Sequence, residues 1–417
     1  MSTNKAKGTK TVRRYELDWL RVSAILLIFV YHSAAPFHPW FDWHIRNYEK
    51  WELLGWLSAA MISWPMPLFM LLAGASTWFA LQRRSYGQYV GERVTRLLIP
   101  LIIGMLILIP PQVYFERLQR GQFLGSFLDF IPHAFDGGPY PEGNISAGQF
   151  WFIFYLFVYA LVAIPIFYVL RGKTGKRWIS WLASFCKYPG AIFIFAVPLI
   201  IGQLALGWRY PETHNPINDW MLHWQLFFVF IFGFVLYSDE RFERAVEKNW
   251  VIALILAVLT SIGMLTLFQF GPAGAMDAVL GQGAYYFRKF TNIKVFYVLG
   301  SIAFRLNAWA WMILILALGV KYLRFTNKYL AYASRAAFPV FILHQTIIIM
   351  VAFYVIKQPW DILPKFLVIL LVSFVITIGL YELVKRWSVT RFLFGVKPSP
   401  KPILEAPSIS GKQIETP

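Results

Sequence analysis

The residues of this chain that could do chemistry sit inside apolar stretches, where ionisable side chains are scarce. The stretch from Tyr15 to His38, YELDWLRVSAILLIFVYHSAAPFH, carries Arg21 near one end and His32 near the other. They are eleven positions apart. At ~100° per residue that is three turns plus about 20°, so one helix face holds both side chains. Along the axis they are separated by roughly 16 Å, about half a bilayer's hydrocarbon thickness. Ionisable groups at that depth are costly to bury and point to function by default. The structural alternative is that Arg21 snorkels to the headgroups while His32 only bonds a neighbouring helix. Arg305 and His344 complete the intramembrane set, with His223 near an outer boundary, and no Asp or Glu is expected in the middle of any span.

Burial disfavours the charged form of an imidazole, so an embedded histidine can accept a proton at neutral pH. That suits a general base for a hydroxyl, or a nucleophile that carries an acyl group briefly. Arginine keeps its charge, and its fork fits phosphate oxygens. Arg21 lies about one turn from the inner edge of its span. Arg93 and Arg96, in GERVTRLLIP, fall where the third span meets the same side. Together the three suit an anion site beneath His32, although positive-inside bias alone would also place Arg93 and Arg96 there. Asp18, one turn before Arg21, reads as its ion-pair partner. The lack of carboxylates at depth weighs against a proton- or cation-coupled transporter.

The elements that must position these groups follow from composition. The chain has 417 residues, 58% of them hydrophobic and only 14% charged, with a mean hydropathy of +0.54. That is too apolar for a soluble protein, and the many Trp, Tyr and Phe suit aromatic belts at two interfaces. The expectation is an all-α polytopic membrane protein, with about ten transmembrane helices in one bundle surrounded by membrane lipids. Apolar spans run at about 17–35, 53–81, 97–113, 150–170, 190–207, 221–237, 250–269, 296–320, 337–356 and 363–384, each near the ~20 residues of a crossing. A basic tail over 1–14, a membrane domain over 15–390 and a second tail over 391–417 follow from them. Most of the 39 Lys and Arg lie on alternate connectors, which puts both termini in the cytoplasm. This topology accounts for the net charge of +18 without a nucleic-acid partner, and none is expected. Arg305 interrupts the eighth span and blurs its bounds. The first span, ending in Ser33-Ala34-Ala35, has the layout of a signal peptide, but Asp18, Arg21 and His32 make it too polar for one.

Two outer segments stand out. Residues 36–51 crowd Trp40, Trp43, Tyr48 and Trp51 around His38 and His44, and read as interface anchors more than as a sugar platform. Residues 114–149 form the longest connector, with Asp129, His133, Asp136 and Glu142 among Gly and Pro. No third ligand stands at a metal spacing, so no metal is expected. Cys186 is the one cysteine, which excludes an intrachain disulfide and a cysteine metal site. Asn144-Ile145-Ser146 is a glycosylation sequon by letter only. The Gly-rich run 271–283 lacks a phosphate loop's lysine and reads as a plain loop.

LDWLRVSAILLIFVYH resembles the opening helix of the acyltransferase-3 family of membrane O-acyltransferases, whose hallmark is arginine, ten residues, then histidine; Arg21 and His32 match it. MPLFMLLAGAS (66–76), ERVTRLLIP (92–100) and FPVFILHQTIII (338–349) agree in order. The ending LYELVKRWSVTRFLFGVKP (380–398) is similar to the tail of the glucan-modifying branch, the membrane succinyltransferases of periplasmic glucans. The resemblance runs from about residue 13 to 398. One departure matters: where relatives often begin the fourth span with His-Leu-Trp-Phe, this chain has Gln149-Phe150-Trp151-Phe152. Gln149 cannot act as a base, which leaves His32 as the better candidate and Gln149 and Trp151 as supporting residues.

The resemblance implies transfer of an acyl group from acyl-CoA, in the cytoplasm, to a hydroxyl of an envelope glycan outside a bacterial inner membrane. No permanently bound cofactor is implied; acyl-CoA is the donor substrate. Arg21, Arg93 and Arg96 would take the donor's phosphates and pantetheine end. His32 would take the acceptor's proton or relay the acyl group, and His344 would orient His32 or the donor. Acetyl and succinyl donors are not distinguished, nor are a periplasmic glucan, a lipopolysaccharide sugar and a small metabolite as acceptors. A glycan transporter or flippase, and a non-catalytic envelope partner, are the competing readings.

Overall fold

Within a bilayer only hydrogen bonding inside each segment can satisfy the backbone, and long apolar runs without Gly-rich breaks do this as helices. The computed structural model of the protein describes residues 13–271, 279 and 291–396. Every regular element among them is a helix. Both outer parts of the expected tails, 1–12 and 397–417, and most of the 271–283 run lie outside the described residues.

The first helix, α1, spans Tyr15–Ala34. The helices α2 (Glu52–Met61) and α3 (Pro65–Leu81) follow as one crossing. The next crossing is assembled from α4 (Tyr86–Arg93), a π turn at Val94–Leu98, α5 (Ile99–Ile107) and α6 (Ile109–Gln119). A four-residue helix α7 (Phe127–Phe130) lies in the connector to α8 (Trp151–Val162) and α9 (Ile164–Arg171), which meet at 47°. Then come α10 (Lys173–Phe185), α11 (Ala196–Leu206), and α12 (Trp220–Leu236) with α13 (Glu240–Lys248) bent from it by 107°. The chain continues as α14 (Trp250–Phe270), α15 (Thr291–Tyr322), α16 (Lys328–Val355), α17 (Ile362–Val384) and α18 (Ser388–Leu393).

Seven of the described helices are long and apolar enough to cross a membrane, or up to nine segments if each bent pair is one span. The stretch expected to cross at 190–207 is a shorter apolar helix, Ala191–Leu206, and stands outside the seven to nine segments counted among the described residues. Two boundaries also differ from expectation. Arg305 does not interrupt its span: α15 is continuous past it, because the buried guanidinium bonds Gln203 and the Met221 sulfur instead of breaking the helix. The third span does not end near 113. Pro110 and Pro111 occupy the first turn of α6, where a missing N–H costs nothing, so the helix restarts there and runs to Gln119. That extension puts Glu116 inside the bundle.

Helix α16 is the enclosed element, packed against α1, α6 and α17, with residues Val340–Thr346 all buried. Helices α3 and α12 cross closely. A Cβ on Gly74 would stand 1.9 Å from the Phe230 carbonyl oxygen, and one on Gly233 would stand 2.0 Å from that of Leu71. Backbone meets backbone there, as small residues allow in membrane bundles. Helix α1 packs on both α3 and α16, and its two candidate groups turn to them, Arg21 to α3 and His32 to α16.

Candidate active site

His32 lies in the last turn of α1 and His344 in the buried middle of α16. Their rings are nearly parallel, 8° apart with centroids at 5.1 Å, and His32 Nδ1 is 2.9 Å from His344 Nε2. The other nitrogen of His344, Nδ1, is 2.7 Å from the Phe341 carbonyl. A carbonyl only accepts, so His344 Nδ1 carries the hydrogen. In a neutral ring His344 Nε2 then holds the lone pair, and His32 Nδ1–H must be the donor to it. His32 Nε2 is left with its lone pair and no hydrogen-bond partner among the described residues. The backbone of α16 thus fixes, through one intermediate ring, which nitrogen of His32 can take a proton. His344 is 1% exposed, while His32 is only partly buried and carries the Trp43 ring over it at 6.1 Å and 24°.

At the other end of α1, Arg21 turns to α3 and donates to Ser76 Oγ at 2.9 Å. Its partner Asp18 lies 3.3 Å away, as the spacing anticipates, but Asp18 also binds Arg13 at 2.8 Å. Arg13 and Arg93 are the cations neighbouring Arg21. The Arg93 guanidinium sits over the Tyr89 ring at 4.5 Å, and its Nε is buried without a hydrogen-bond partner among the described residues. Arg96 is placed less freely: Glu92 holds it at 3.2 Å and holds Arg84 at the same distance. The π turn that starts after Arg93 and contains Arg96 inserts one residue into the helical repeat, a distortion frequent at functional sites.

Gln149 and Trp151 part company. Gln149 is buried beside α16, donating to the Ile342 carbonyl at 2.9 Å and accepting from Gln112 at 3.0 Å. Trp151 stacks on His214 at 4.2 Å, and His214 pairs with Glu212 at 3.0 Å, so Trp151 belongs to a separate outer cluster. It is not brought to the histidine pair.

A family model described as an acyltransferase domain matches residues 14–382. The chain belongs to the acyltransferase-3 family. No curated protein and no solved structure matches the chain. Membership makes this a membrane acyltransferase, and the matched region contains Arg21, His32, Arg93, Gln149 and His344 alike.

Around the acyltransferase's histidine pair lie residues that the sequence reading passed over. Glu116, fully buried on α6, pairs with His44 Nδ1, accepts from the Tyr140 hydroxyl at 3.1 Å and is reached by Arg120 at 3.3 Å. Burial, and next the Glu116 carboxylate, push the Tyr140 phenol up to about 12, so it remains a donor. From His44 the contacts continue to Gln345, 3.4 Å away, then to Gln112 at 3.2 Å. Gln112 also donates to Thr346 Oγ1 at 2.8 Å. The segment 36–51 is therefore not only an interfacial belt: Trp43 covers His32, and His44 is tied to the bundle interior. The missed signal was Gln112 and Glu116 at i and i+4 on a helix begun by two prolines.

Taken together, the acyltransferase has a proton-accepting nitrogen roofed by an indole, and cations about three helical turns below it.

Proposed function

We propose that this acyltransferase moves an acetyl or succinyl group from cytoplasmic acyl-CoA to a hydroxyl of an envelope glycan, across a bacterial inner membrane with both chain ends inside and ten segments traversing it. The similarity of residues 380–398 to the glucan-modifying branch favours a periplasmic glucan as acceptor. The single observation that carries the reading is the Phe341–His344–His32 relay, which leaves His32 Nε2 as an oriented base. The acceptor hydroxyl gives its proton to this nitrogen as its oxygen attacks the thioester carbonyl. The C–S bond breaks, and the departing CoA sulfur takes the proton back from the imidazolium. Arg21 and Arg93, with Arg96 behind them, hold the donor's phosphates, and the roughly 16 Å rise from Arg21 to His32 is left for the pantetheine arm. No resident cofactor enters the cycle. Outside, Trp43 and the Glu116–His44 pair frame the acceptor.

The test is release of CoA thiol by purified protein in lipid nanodiscs, with acyl-CoA and glycan supplied. His32→Ala should lower the rate by ~10²–10⁴-fold, the usual worth of a general base, with the melting temperature of the wild type. A wild-type rate in that variant sinks the mechanism. A flippase would move glycan without releasing thiol at all.

A further inference from the structure

A cavity of about 290 Å³ lies apart from the histidine site, between α3, α9, α10 and the start of α13. It opens at the same end of the bundle as Arg21. Arg14, just before α1, forms an ion pair with Glu243 on α13, and Arg171 of the cavity reaches the Tyr86 hydroxyl at the start of α4. Its walls include Trp78, Arg171, Lys176, Ser180, Asp239 and Arg241.

The charges there do not balance. Asp239 and Arg241 neutralise each other through two parallel contacts of 2.9 and 2.7 Å. Arg241 spends two further donors on Ser184 and Ser180, at 2.9 Å each. Arg171 has a 3.3 Å contact to the Tyr86 hydroxyl and lies over that ring at 5.6 Å, with no ion pair among the described residues. The Lys176 ammonium has no ion pair or hydrogen bond among the described residues. Arg171 and Lys176 are therefore in excess of the one carboxylate in the wall, Asp239, which Arg241 already neutralises.

Helix α10 sets the level of the opening. Gly175, Ile179 and Ala183 are its buried face. Trp178, Trp181 and Phe185, at 58%, 71% and 39% exposure, form an apolar flank. Lys176, Ser180 and Ser184 lie between these two faces, towards the cavity. A helix with buried, apolar and basic strips lies in the membrane interface, with its polar strip at headgroup depth. The volume is at the lower end of small-ligand pockets. Its size suits a headgroup or a nucleotide fragment. Guanidinium, ammonium and hydroxyl donors converging on one space match a tetrahedral oxyanion.

We propose that this cavity is a phosphate-ester site, with Arg171 and Lys176 as its anion-binding cations. Its occupant is supplied either by an anionic phospholipid headgroup of the adjoining leaflet or by a soluble nucleotide. The proposal does not depend on the acyl-transfer mechanism, and its readout is binding.

The experiment titrates purified full-length protein in phosphatidylcholine nanodiscs with two probes, short-chain phosphatidylglycerol and 3′,5′-ADP, following intrinsic tryptophan fluorescence and native mass spectra. Wild type should bind one of them. Binding of the lipid assigns the headgroup source; binding of the nucleotide assigns the soluble source only when the cavity variant below weakens it, because nucleotide held at Arg21 and Arg93 would be indifferent to that variant. The double variant Arg171→Gln/Lys176→Gln should weaken whichever probe binds by about tenfold or more. Arg177→Gln, on the same helix but off the cavity wall, should leave that affinity unchanged. Should the double variant misfold, Lys176→Gln alone removes a side chain that holds nothing in place and gives the same readout. No binding of either probe to wild type, or equal affinity in the cavity variants, overturns the site.

Discussion

His344 reaches the chemistry only through His32, so its substitution has a signature that simple loss of packing would not share. His344→Gln keeps an acceptor oxygen near the position of Nε2 and can still receive the His32 Nδ1 hydrogen. His344→Leu keeps the bulk and leaves that hydrogen unpaired, which frees His32 to choose the other tautomer. The expected outcome is a kcat lowered on the order of 100-fold in His344→Leu with KM for acyl-CoA unchanged, and substantial recovery in His344→Gln. Equal losses in the two variants would mean that His344 only fills space. Glu116 poses the opposite case, because it is fully buried and holds His44, Arg120 and Tyr140 together. Glu116→Leu strips the carboxylate from His44 and leaves Arg120 with Asp42 alone, a change that costs about 3 kcal/mol or more where a buried pair is broken. A melting temperature lower by several degrees checks it, and an unchanged one would show that water already screens the pair. The sequence disclosed His32 and Arg21 because both interrupt an apolar run. It hid Glu116 because the prolines before it read as an end of helix and its partner His44 is 72 residues away.

Apolar length and basic connectors were enough to find most elements, since a bilayer forces each long apolar run into a helix. They did not reveal that 150–170 bends by 47° at Val162–Ile164, or that the chain turns through 107° after Leu236. Both are decided by packing against other helices. Hydropathy likewise marks Gly74 and Gly233 no differently from Gly263, yet the three stand in opposite surroundings. At Gly74 a Cβ would lie 1.9 Å from the Phe230 carbonyl oxygen, and no rotamer can relieve a clash with backbone. At Gly263, within α14, nothing lies within 4 Å of the added atom. Gly74→Ala must therefore push α3 from α12, with a cost of about 1–3 kcal/mol or more from overpacking. Gly263→Ala should be neutral or stabilising by up to about 1 kcal/mol, the helix-propensity difference. Thermal melting in one detergent compares them, and equal melting temperatures would mean that the α3–α12 crossing is looser than drawn.

For the whole molecule, the decisive property is which compartment each end of the bundle meets. One end gathers charge: Arg14 with Glu16 and Glu243, Arg324 with Glu243, and Lys385 with Glu382 at 2.6 Å. Arg21, Arg93 and the basic cavity lie at that end too. The opposite end carries Trp43, His44, Tyr140 and the long connector. The proposed orientation sets the first end inside, on the excess of basic connectors there, so that the proposed thioester donor enters at that end. Cys186 is buried, so replacing it gives a background in which one introduced thiol reports one location. In a Cys186→Ala chain, Tyr48→Cys and Leu124→Cys, at positions 98% and 89% exposed, should react with a membrane-impermeant maleimide added to intact spheroplasts. Lys187→Cys, at the charged end, should react only once the membrane is opened. Labelling of Lys187→Cys from outside would put Arg21 and Arg93 in the wrong compartment for acyl-CoA. It would leave the histidine relay without its donor, whatever the glycan, and the proposed direction of transfer would have to be abandoned.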